Sequence, residues 1–279
     1  MVIILRYMAP NSAELSARSE IQSGVETFQV DGADIFIEAT KRVRIKGMPL
    51  VILLTGNAAV GKSTGAIIAQ QILSSEQYGR RLSVRSPSSP NYQELLERGI
   101  IDTDFFFPPR GSEERRIRPF PLWFRRDEFE ATIRNMADAI KNNQTSITLQ
   151  NIYDRESGIL TPTDWAFQFP IFHLVIVTGM YAFDCIPILQ QYGIPTLRIL
   201  VVAEKEKRIK RFLKRNKNRF NSEESIMDHL NDEVDPLWQQ IQEKHPNYDL
   251  LWESNEDIII SLHNQGDIPA TKNPLNARS

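Results

Sequence analysis

The stretch that most constrains the fold of this chain lies near residue 50, where an apolar run meets a glycine-rich turn. Residues 50–64 read Leu-Val-Ile-Leu-Leu-Thr-Gly-Asn-Ala-Ala-Val-Gly-Lys-Ser-Thr. Gly56 and Gly61 are separated by four residues, and Lys62 and Ser63 follow directly. This is the pattern of a strand, a phosphate-binding P-loop and the start of a helix. The two glycines let the chain turn sharply and let backbone N–H groups close around a phosphate.

The loop pattern predicts a nucleotide site with Mg²⁺. Lys62 is expected to reach the β- and γ-phosphates, and the Ser63 hydroxyl is expected to hold the metal. The residues expected to contact the nucleotide are Gly56, Asn57, Ala58, Ala59, Val60, Gly61, Lys62, Ser63 and Thr64. The plainer alternative is a glycine-rich turn between a strand and a helix without a ligand.

Composition and charge narrow the class of protein. The chain has 279 residues, 41% of them hydrophobic and 24% charged, which is enough for one large α/β domain. Its formal net charge of −2 gives no overall attraction to nucleic acid or to an anionic membrane. The single cysteine, Cys185, excludes an internal disulfide. The apolar start ends at Arg6, too early for a signal peptide or a spanning helix. We therefore expect a cytoplasmic protein with no nucleic-acid or membrane partner.

Strand patterns and helix patterns alternate after the loop. Apolar runs at 171–178 and 197–202 are typical of parallel strands covered on both faces, and residues 127–143 have the period of an amphipathic helix. The alternation predicts an α/β fold, a three-layer P-loop NTPase fold with a mainly parallel sheet, a helical lid and a short N-terminal β extension.

The same patterns divide the chain into segments. The expected segments are an N-terminal extension at 1–48, a P-loop domain at 49–263 with a lid at about 204–220, and a flexible tail at 264–279. In the extension, β-branched and aromatic residues between 28 and 45, with Asp31-Gly32 in a turn position, predict a hairpin or two short strands beside the main domain.

Two carboxylates follow a short strand pattern at Ile100-Ile101. In an open parallel sheet the ligand crevice lies beyond the carboxyl ends of the strands, so Asp102 and Asp104 are expected at the same cleft as the loop. A kinase would place its catalytic base there. We expect Asp102 to share Mg²⁺ with Ser63.

The segment 105–126 is both aromatic and basic. One interpretation makes it the wall of an acceptor pocket, in which aromatic rings bury the substrate and an arginine binds an anionic group. The alternative is a solvated loop that its aromatic residues pin to the domain. The residues expected to contact the acceptor are Phe105, Arg125 and Tyr153.

Arginines recur at spacings of three and four residues between 208 and 219, which places them on one side of a helix. This favours a lid that faces phosphates. We expect Arg208 to bind the nucleotide and Arg211 and Arg215 to neutralise the transferring group. The alternative is an ordinary solvated helix face.

Further segments occur in a fixed order along the chain. Thr103-Asp104-Phe105-Phe106-Phe107-Pro108 follows the loop, then Tyr153-Asp154, and then Leu174-Val-Ile-Val-Thr-Gly-Met-Tyr-Ala-Phe183 before the arginine helix. Over roughly residues 50–260 this series is similar to the motifs of the phosphoribulokinase/uridine kinase family of P-loop small-molecule kinases. The first segment resembles the Thr-Asp-x-Phe-x-x-Pro segment of bacterial pantothenate kinases. The resemblance implies that Asp104 accepts the proton of the attacking hydroxyl.

One position departs from that resemblance. Thr178 stands where the family has a glutamate close to the metal. The Thr178 hydroxyl could bind Mg²⁺ or a water, and Asp102 or Asp104 could hold the metal in its place.

The resemblance implies an ATP- and Mg²⁺-dependent kinase that phosphorylates a hydroxyl of a small metabolite. A nucleoside, a pantothenate-like acid and a sugar or sugar phosphate are all open as acceptors, and the arginines slightly favour an anionic one. The sequence leaves the oligomeric state open, and a homodimer is one of the states compatible with it. The alternative, motivated by Thr178, is an ATP-binding regulatory or accessory protein of the same fold with weak or lost transfer activity.

Overall fold

The computed structural model describes residues 25–29, 33–45, 48–74, 81–85, 92–118, 120–155, 157–162, 164–169, 174–254 and 260–264. In these ranges the strands β1 to β10 are, in chain order, Val25–Gln29, Leu50–Thr55, Arg81–Arg85, Ile100–Asp102, Ser146–Leu149, Trp165–Gln168, Leu174–Thr178, Thr196–Ala203, Leu250–Ser254 and Ile260–Asn264. The α-helices α1 to α9 are Ala33–Val43, Lys62–Ser74, Tyr92–Glu97, Glu113–Ile117, Arg126–Lys141, Ile186–Gln191, Lys205–Asn216, Glu223–His229 and Asp235–Lys244. The predicted tail after residue 264 lies outside the described residues.

The core is a mainly parallel sheet with the spatial order β10-β9-β8-β2-β7-β4. Strands β9, β8, β2, β7 and β4 run parallel, and β10 pairs with β9 in the antiparallel sense. All six residues of β2 are buried, as its apolar run requires for a strand between two neighbours and two helical layers. The predicted three-layer α/β fold is confirmed.

Helices cover both faces of this sheet. Helix α2 packs on β2, β4 and β7, and helix α1 packs on β8 and β10. Helix α5 packs on α6 and on β5, which forms a separate antiparallel hairpin with β6. None of the helices in the described ranges is long and apolar enough to cross a lipid bilayer.

The N-terminal segment differs from the predicted hairpin. Strand β1 pairs with β3, and residues 33–43 form helix α1. Phe36 and Ile37 are buried, and Thr40 is buried one turn later. This helical spacing buries one face of α1 against the main sheet, whereas a strand would have pointed neighbouring apolar residues to opposite sides. The hairpin prediction is wrong over residues 33–43 because burying one face of a helix stabilises this segment more than its β-branched residues favour a strand.

Asp184 joins three elements through a buried network. It lies in the 3₁₀ turn Ala182–Cys185, and its side chain is 4% exposed. It binds Arg126 at the start of α5 at 2.6 Å, and Lys244 and His245 at the end of α9 at 2.6 and 2.8 Å. Burial disfavours the charged carboxylate, but hydrogen bonds from His245 and Lys244 and the charge of Arg126 outweigh burial and hold the pKa of Asp184 below its usual value.

Replacing Asp184 with asparagine is expected to lower the free energy of unfolding at pH 7 by roughly 2–3 kcal/mol, because the charged donors lose their carboxylate. Since the folded pKa is lowered, this stabilisation is complete above the unfolded pKa of about 4 and is lost as the pH falls through the folded pKa. Urea unfolding of both proteins between pH 7 and pH 3 measures the difference. Asp228→Asn, at an exposed position, is the control, and equal stabilities at pH 7 would refute the assignment.

Candidate active site

The loop at residues 56–61 connects β2 to α2 in the geometry that phosphate binding needs. Gly61 has φ of 94°, and Ala59, a non-glycine residue, has φ of 62°. A Cβ on Gly56 would overlap the Val201 carbonyl oxygen of the neighbouring strand, so only glycine lets the loop pass this close to β8. The loop therefore turns sharply after β2, close to β8, and α2 begins directly after it at Lys62.

Lys62 lies inside this turn. Its Nζ donates to the Asn57 carbonyl oxygen at 2.7 Å, which folds the side chain back over the loop. Burial lowers the pKa of Lys62 to about 8, and the nearby carboxylates of Asp104 and Asp102 oppose that shift. The ammonium is therefore poised where an incoming phosphate would replace the carbonyl as its partner.

Asp102 and Ser63 meet at the carboxyl end of the sheet. Ser63 Oγ donates to Asp102 Oδ2 at 3.0 Å, and the Asp104 backbone N–H donates to Asp102 Oδ1 at 2.9 Å. Burial, reinforced by the charge of Asp104, raises the pKa of Asp102 to about 7. A cation beside this carboxylate would favour its charged form.

Thr178 lies next to Asp102 in the sheet. The register pairs Asp102 of β4 with Thr178 of β7, so their side chains leave the same face of the sheet. Thr178 is completely buried, and within the described residues its hydroxyl has no hydrogen-bond partner. A buried hydroxyl without a partner is unfavourable, and a cation or a bound water would satisfy it.

The oxygen atoms of these residues fit Mg²⁺. Mg²⁺ is usually held by one or two carboxylates together with substrate phosphates and water, rather than by an all-protein cage. Among the described residues there is no group of three or more His, Cys, Asp or Glu side chains that could hold a metal. Ser63 and Asp102 would hold the ion, with the Thr178 hydroxyl beside them.

Asp104 brings three segments together. It lies in the 3₁₀ turn after β4, and its Oδ2 binds Arg155 Nη1 at 2.9 Å. Arg215 of α7 lies 3.5 Å from the same oxygen. Arg211, one turn earlier on α7, is half-buried. The helix predicted at 204–220 is therefore present, and one of its arginines reaches the carboxylate that the sequence singled out.

Asp235 connects the loop to the arginine helix. Arg208 Nη1 and Nη2 each donate to one Asp235 oxygen at 2.8 Å, and Asn57 Nδ2 donates to Asp235 Oδ1 at 2.8 Å. The Arg208 side chain is 8% exposed. Both of its terminal nitrogens bind Asp235, so Arg208 joins α7 to the loop, and the nucleotide contact expected of it stays a prediction.

Asp235→Asn is expected to raise the Kd for a fluorescent ATP analogue about 5- to 30-fold, because it weakens the charge-assisted bonds that hold Arg208 and, through Asn57, the loop. Fluorescence titration of the wild type and the variant measures the difference. Asp232→Asn, at an exposed position three residues away, is the matched control, and an unchanged Kd would rule out a positioning role.

The structure places the three residues predicted to contact the acceptor, Phe105, Arg125 and Tyr153, largely inside the protein. Arg125 Nη2 donates to the carbonyl oxygens of Phe105 at 3.1 Å and Asn151 at 2.6 Å. Phe105 itself is 4% exposed and belongs to the hydrophobic core. Tyr153 is also buried, and the Arg115 guanidinium lies over its ring at 4.9 Å. Little of Phe105 or Tyr153 is therefore open to a ligand.

Sequence reasoning missed Arg155 and Asp235. Arg155 directly follows the Tyr153-Asp154 motif, and that adjacency was the available signal. Asp235 precedes a proline at the start of a helix, which is a common place for an acidic residue. Nothing in the sequence pairs it with Asn57, which is 178 residues away.

Comparisons with known proteins agree with this architecture. No family model matches the chain, and no curated protein sequence matches it. The structure is similar to that of a candidate fructose transport system kinase from Silicibacter sp. TM1040, with a TM-score of 0.53 and 15% identity over 78% of this chain and 97% of that chain. It is also similar to YFH7 from Saccharomyces cerevisiae, a candidate P-loop kinase with a circular permutation, with a TM-score of 0.51 and 13% identity over 81% of this chain and 98% of that chain. These likenesses show that the chain shares the α/β fold of these two structures.

Proposed function

We propose that this protein is an ATP-dependent kinase that phosphorylates a hydroxyl group of a small metabolite. The observation that carries the proposal is the position of Asp104, a carboxylate next to the phosphate-binding loop with an arginine of α7 at 3.5 Å. Phosphoryl transfer needs a donor site, a base and positive charge around the transferring group. The loop with Lys62 supplies the first, Asp104 the second and Arg215 the third.

The chain's residues divide the work of the transfer. Lys62 and the loop N–H groups bind the phosphates of ATP, and Arg211 and Arg215 neutralise charge on the transferring group. Among the described residues, both side-chain ion pairs of Asp104 use Oδ2, which leaves Oδ1 for the acceptor hydroxyl. Mg²⁺ held by Ser63 and Asp102 would neutralise phosphate oxygens.

The reaction is balanced without a further reactant. The acceptor oxygen forms a bond to the γ-phosphorus, and the bond between that phosphorus and the β–γ bridging oxygen breaks. The hydroxyl proton passes to Asp104 and then to solvent, and the products are ADP and a phosphate ester.

An ADP-release assay with Mg-ATP tests the proposal. The acceptors are nucleosides, pantothenate, glycerate, pentose phosphates and fructose, the last because one structural neighbour is a candidate fructose transport system kinase. We expect acceptor-dependent ADP release with a phosphorylated product detected by mass spectrometry. ATP hydrolysis at the same rate with and without every acceptor would count against a kinase.

The second candidate function is an ATP-binding regulatory protein, which Thr178 favours because it stands where the similar kinase family has a glutamate close to the metal. If the protein is a kinase, we expect the wild type, with Thr178, to transfer phosphate without any substitution. If instead the wild type binds ATP without transfer, Thr178→Glu should restore Mg²⁺-dependent turnover. Thermal melting of the variant shows whether the buried position accepts the larger side chain.

A further inference from the structure

Helix α7 separates its positive side chains by type. Arg208 lies on the inner side of the helix, with its side chain 8% exposed. Lys210, Lys214 and Lys217 are exposed. They follow Arg208 by two, six and nine residues, which places them on the opposite side of a helix with about 3.6 residues per turn. These three lysines are called the basic strip below, and the roles proposed for the arginines of α7 do not use them.

An apolar depression runs beside the basic strip. Ile209 and Leu213, both partly exposed, line it together with the three lysines. Glu206 and Glu223 line it too, so its walls carry three positive and two negative charges. The lining belongs to α7 and to the first residue of α8, and the depression therefore follows the boundary between the two helices. Its volume of about 510 Å³ gives room for apolar side chains of another molecule.

Helix α8 and the turn after it carry the opposite charge. Residues 223–233 contain five acidic residues and no lysine or arginine. Glu224 and Asp228 are exposed one helical turn apart, and Glu223 lines the depression. These three acids are called the acidic strip below. It lies beside the basic strip because α7 and α8 pack on each other.

Neither strip is neutralised within a single copy of the chain. In the described part of the chain no ion pair includes a member of either strip, and the ion pairs found nearby join Lys207 to Glu204 and His229 to Glu233. The two strips lie side by side with exposed side chains, so they do not face each other. A surface that carries the opposite charges in the same arrangement would complement both strips at once.

A two-fold axis makes this surface complementary to itself. An axis that lies between the strips, parallel to α7, places the basic strip of one copy opposite the acidic strip of the other, and it does so twice. Ile209 and Leu213 then lie close to the axis, where each meets the same residue of the second copy. Their contact removes apolar surface from water between the two rows of ion pairs.

An anionic membrane fits this surface less well. The apolar side chains line a depression and do not project toward a flat layer of lipid. The acidic strip, which lies beside the basic one, would be repelled by anionic head groups. A second copy of the chain meets neither difficulty.

We propose that two copies of this chain bind each other here, through a symmetric contact in which the basic strip of each copy faces the acidic strip of the other. Exposed ion pairs each contribute little, so the dimer is weak, with a Kd on the order of 10–100 µM. The arginine side of α7 still faces the candidate active site in this dimer. The proposal does not depend on the kinase function.

The first test is sedimentation equilibrium of the full chain over about 5 to 300 µM protein, at about 50 and 500 mM NaCl. We expect a monomer–dimer equilibrium whose Kd is at least about tenfold higher at the higher salt concentration, because salt screens exposed charges. A monomer at every protein concentration in low salt would overturn the proposal.

The second test reverses one strip at a time. Lys210→Glu with Lys214→Glu makes both strips acidic, and Glu224→Lys with Asp228→Lys makes the acidic strip mainly basic. We expect each double variant alone to dimerise at least about 30-fold more weakly than the wild type, because like charges then face each other. An equimolar mixture of the two should form a heterodimer, since the acidic strips of one meet the basic strips of the other. Unchanged dimerisation of either double variant, or no association in the mixture, would overturn this contact.

Controls separate the contact from general effects of charge and from lipid binding. Lys141→Glu, at an exposed position at the end of α5, should leave the Kd of the dimer unchanged. Thermal melting checks that each variant folds. If a reversed variant melts early, Lys210→Gln with Lys214→Gln replaces it, and an unchanged Kd in that variant would also overturn the contact. Flotation with phosphatidylserine vesicles tests the membrane: lipid binding by a monomeric wild type, lost in Lys210→Glu with Lys214→Glu, would assign the basic strip to lipid and overturn the dimer.

Discussion

Replacing Lys62 with methionine is expected to lower kcat/KM for ATP by about 10³-fold or more. Methionine keeps the length and much of the volume of the side chain but has no charge to place on the phosphates. Lys62 is the first residue of α2 and already makes a hydrogen bond to a carbonyl oxygen of the loop, 2.7 Å away. The effect should therefore come from lost phosphate contact and not from a misplaced helix.

Two measurements check the Lys62 prediction. Binding of a fluorescent ATP analogue should weaken at least about tenfold, and single-turnover transfer should slow further, because the ammonium also neutralises charge in the transition state. Lys141→Met, at an exposed position at the end of α5, is the control for loss of a lysine. Unchanged affinity for ATP in a folded Lys62→Met would rule out the phosphate-binding role of the loop.

Asp104→Asn has the second largest expected effect, a fall in kcat of about 10²- to 10⁴-fold with ATP affinity close to that of the wild type. Asparagine keeps the shape of the side chain and can still bind Arg155 and Arg215 through its carbonyl oxygen, but it cannot take a proton. The pairing of a large kcat effect with a small change in ATP binding distinguishes a base from a residue that holds the nucleotide.

The control for Asp104 is Asp127→Asn, an exposed acid in the first turn of α5. Rates measured with the best acceptor, together with ATP-analogue binding, give both quantities on the same protein. Full turnover by Asp104→Asn would show that Asp104 is not the base. Asp102, the other carboxylate at this end of the sheet, would then be the next candidate.

Much of the fold could be predicted from local patterns. The apolar run 50–55 and the glycine spacing after it specify a buried strand, a tight turn and a helix start, because each depends on residues within a few positions of one another. The run that ends at Thr178 likewise predicted a core strand, and the arginine-rich period predicted helix α7. The helix at 33–43 was missed because its β-branched and aromatic residues are typical of strands, although their spacing is helical.

The site could be predicted only in part. The sequence predicted that Lys62, Ser63, Asp102 and Asp104 lie together, because each follows the end of a strand and a parallel sheet brings those ends to one edge. The guanidinium groups of Arg125 and Arg208 bind backbone carbonyls and the half-buried Asp235 carboxylate, partners that no pattern in the sequence indicates. An arginine pattern shows where positive charge lies along the chain, but it does not show which partner that charge meets.

By itself, then, the sequence determined the phosphate-binding loop, the alternation of strands and helices, and the carboxylates after β4. The tertiary structure alone decided that Arg155 meets Asp104, 51 residues away, and that Asp235 holds Asn57, 178 residues away. Helical and strand periods are set by near neighbours, and a sequence displays them directly. Ion pairs between distant segments form only when the chain packs. Packing removes certain charged groups from water, and a charged group that has lost its water is stable only with a partner of opposite charge.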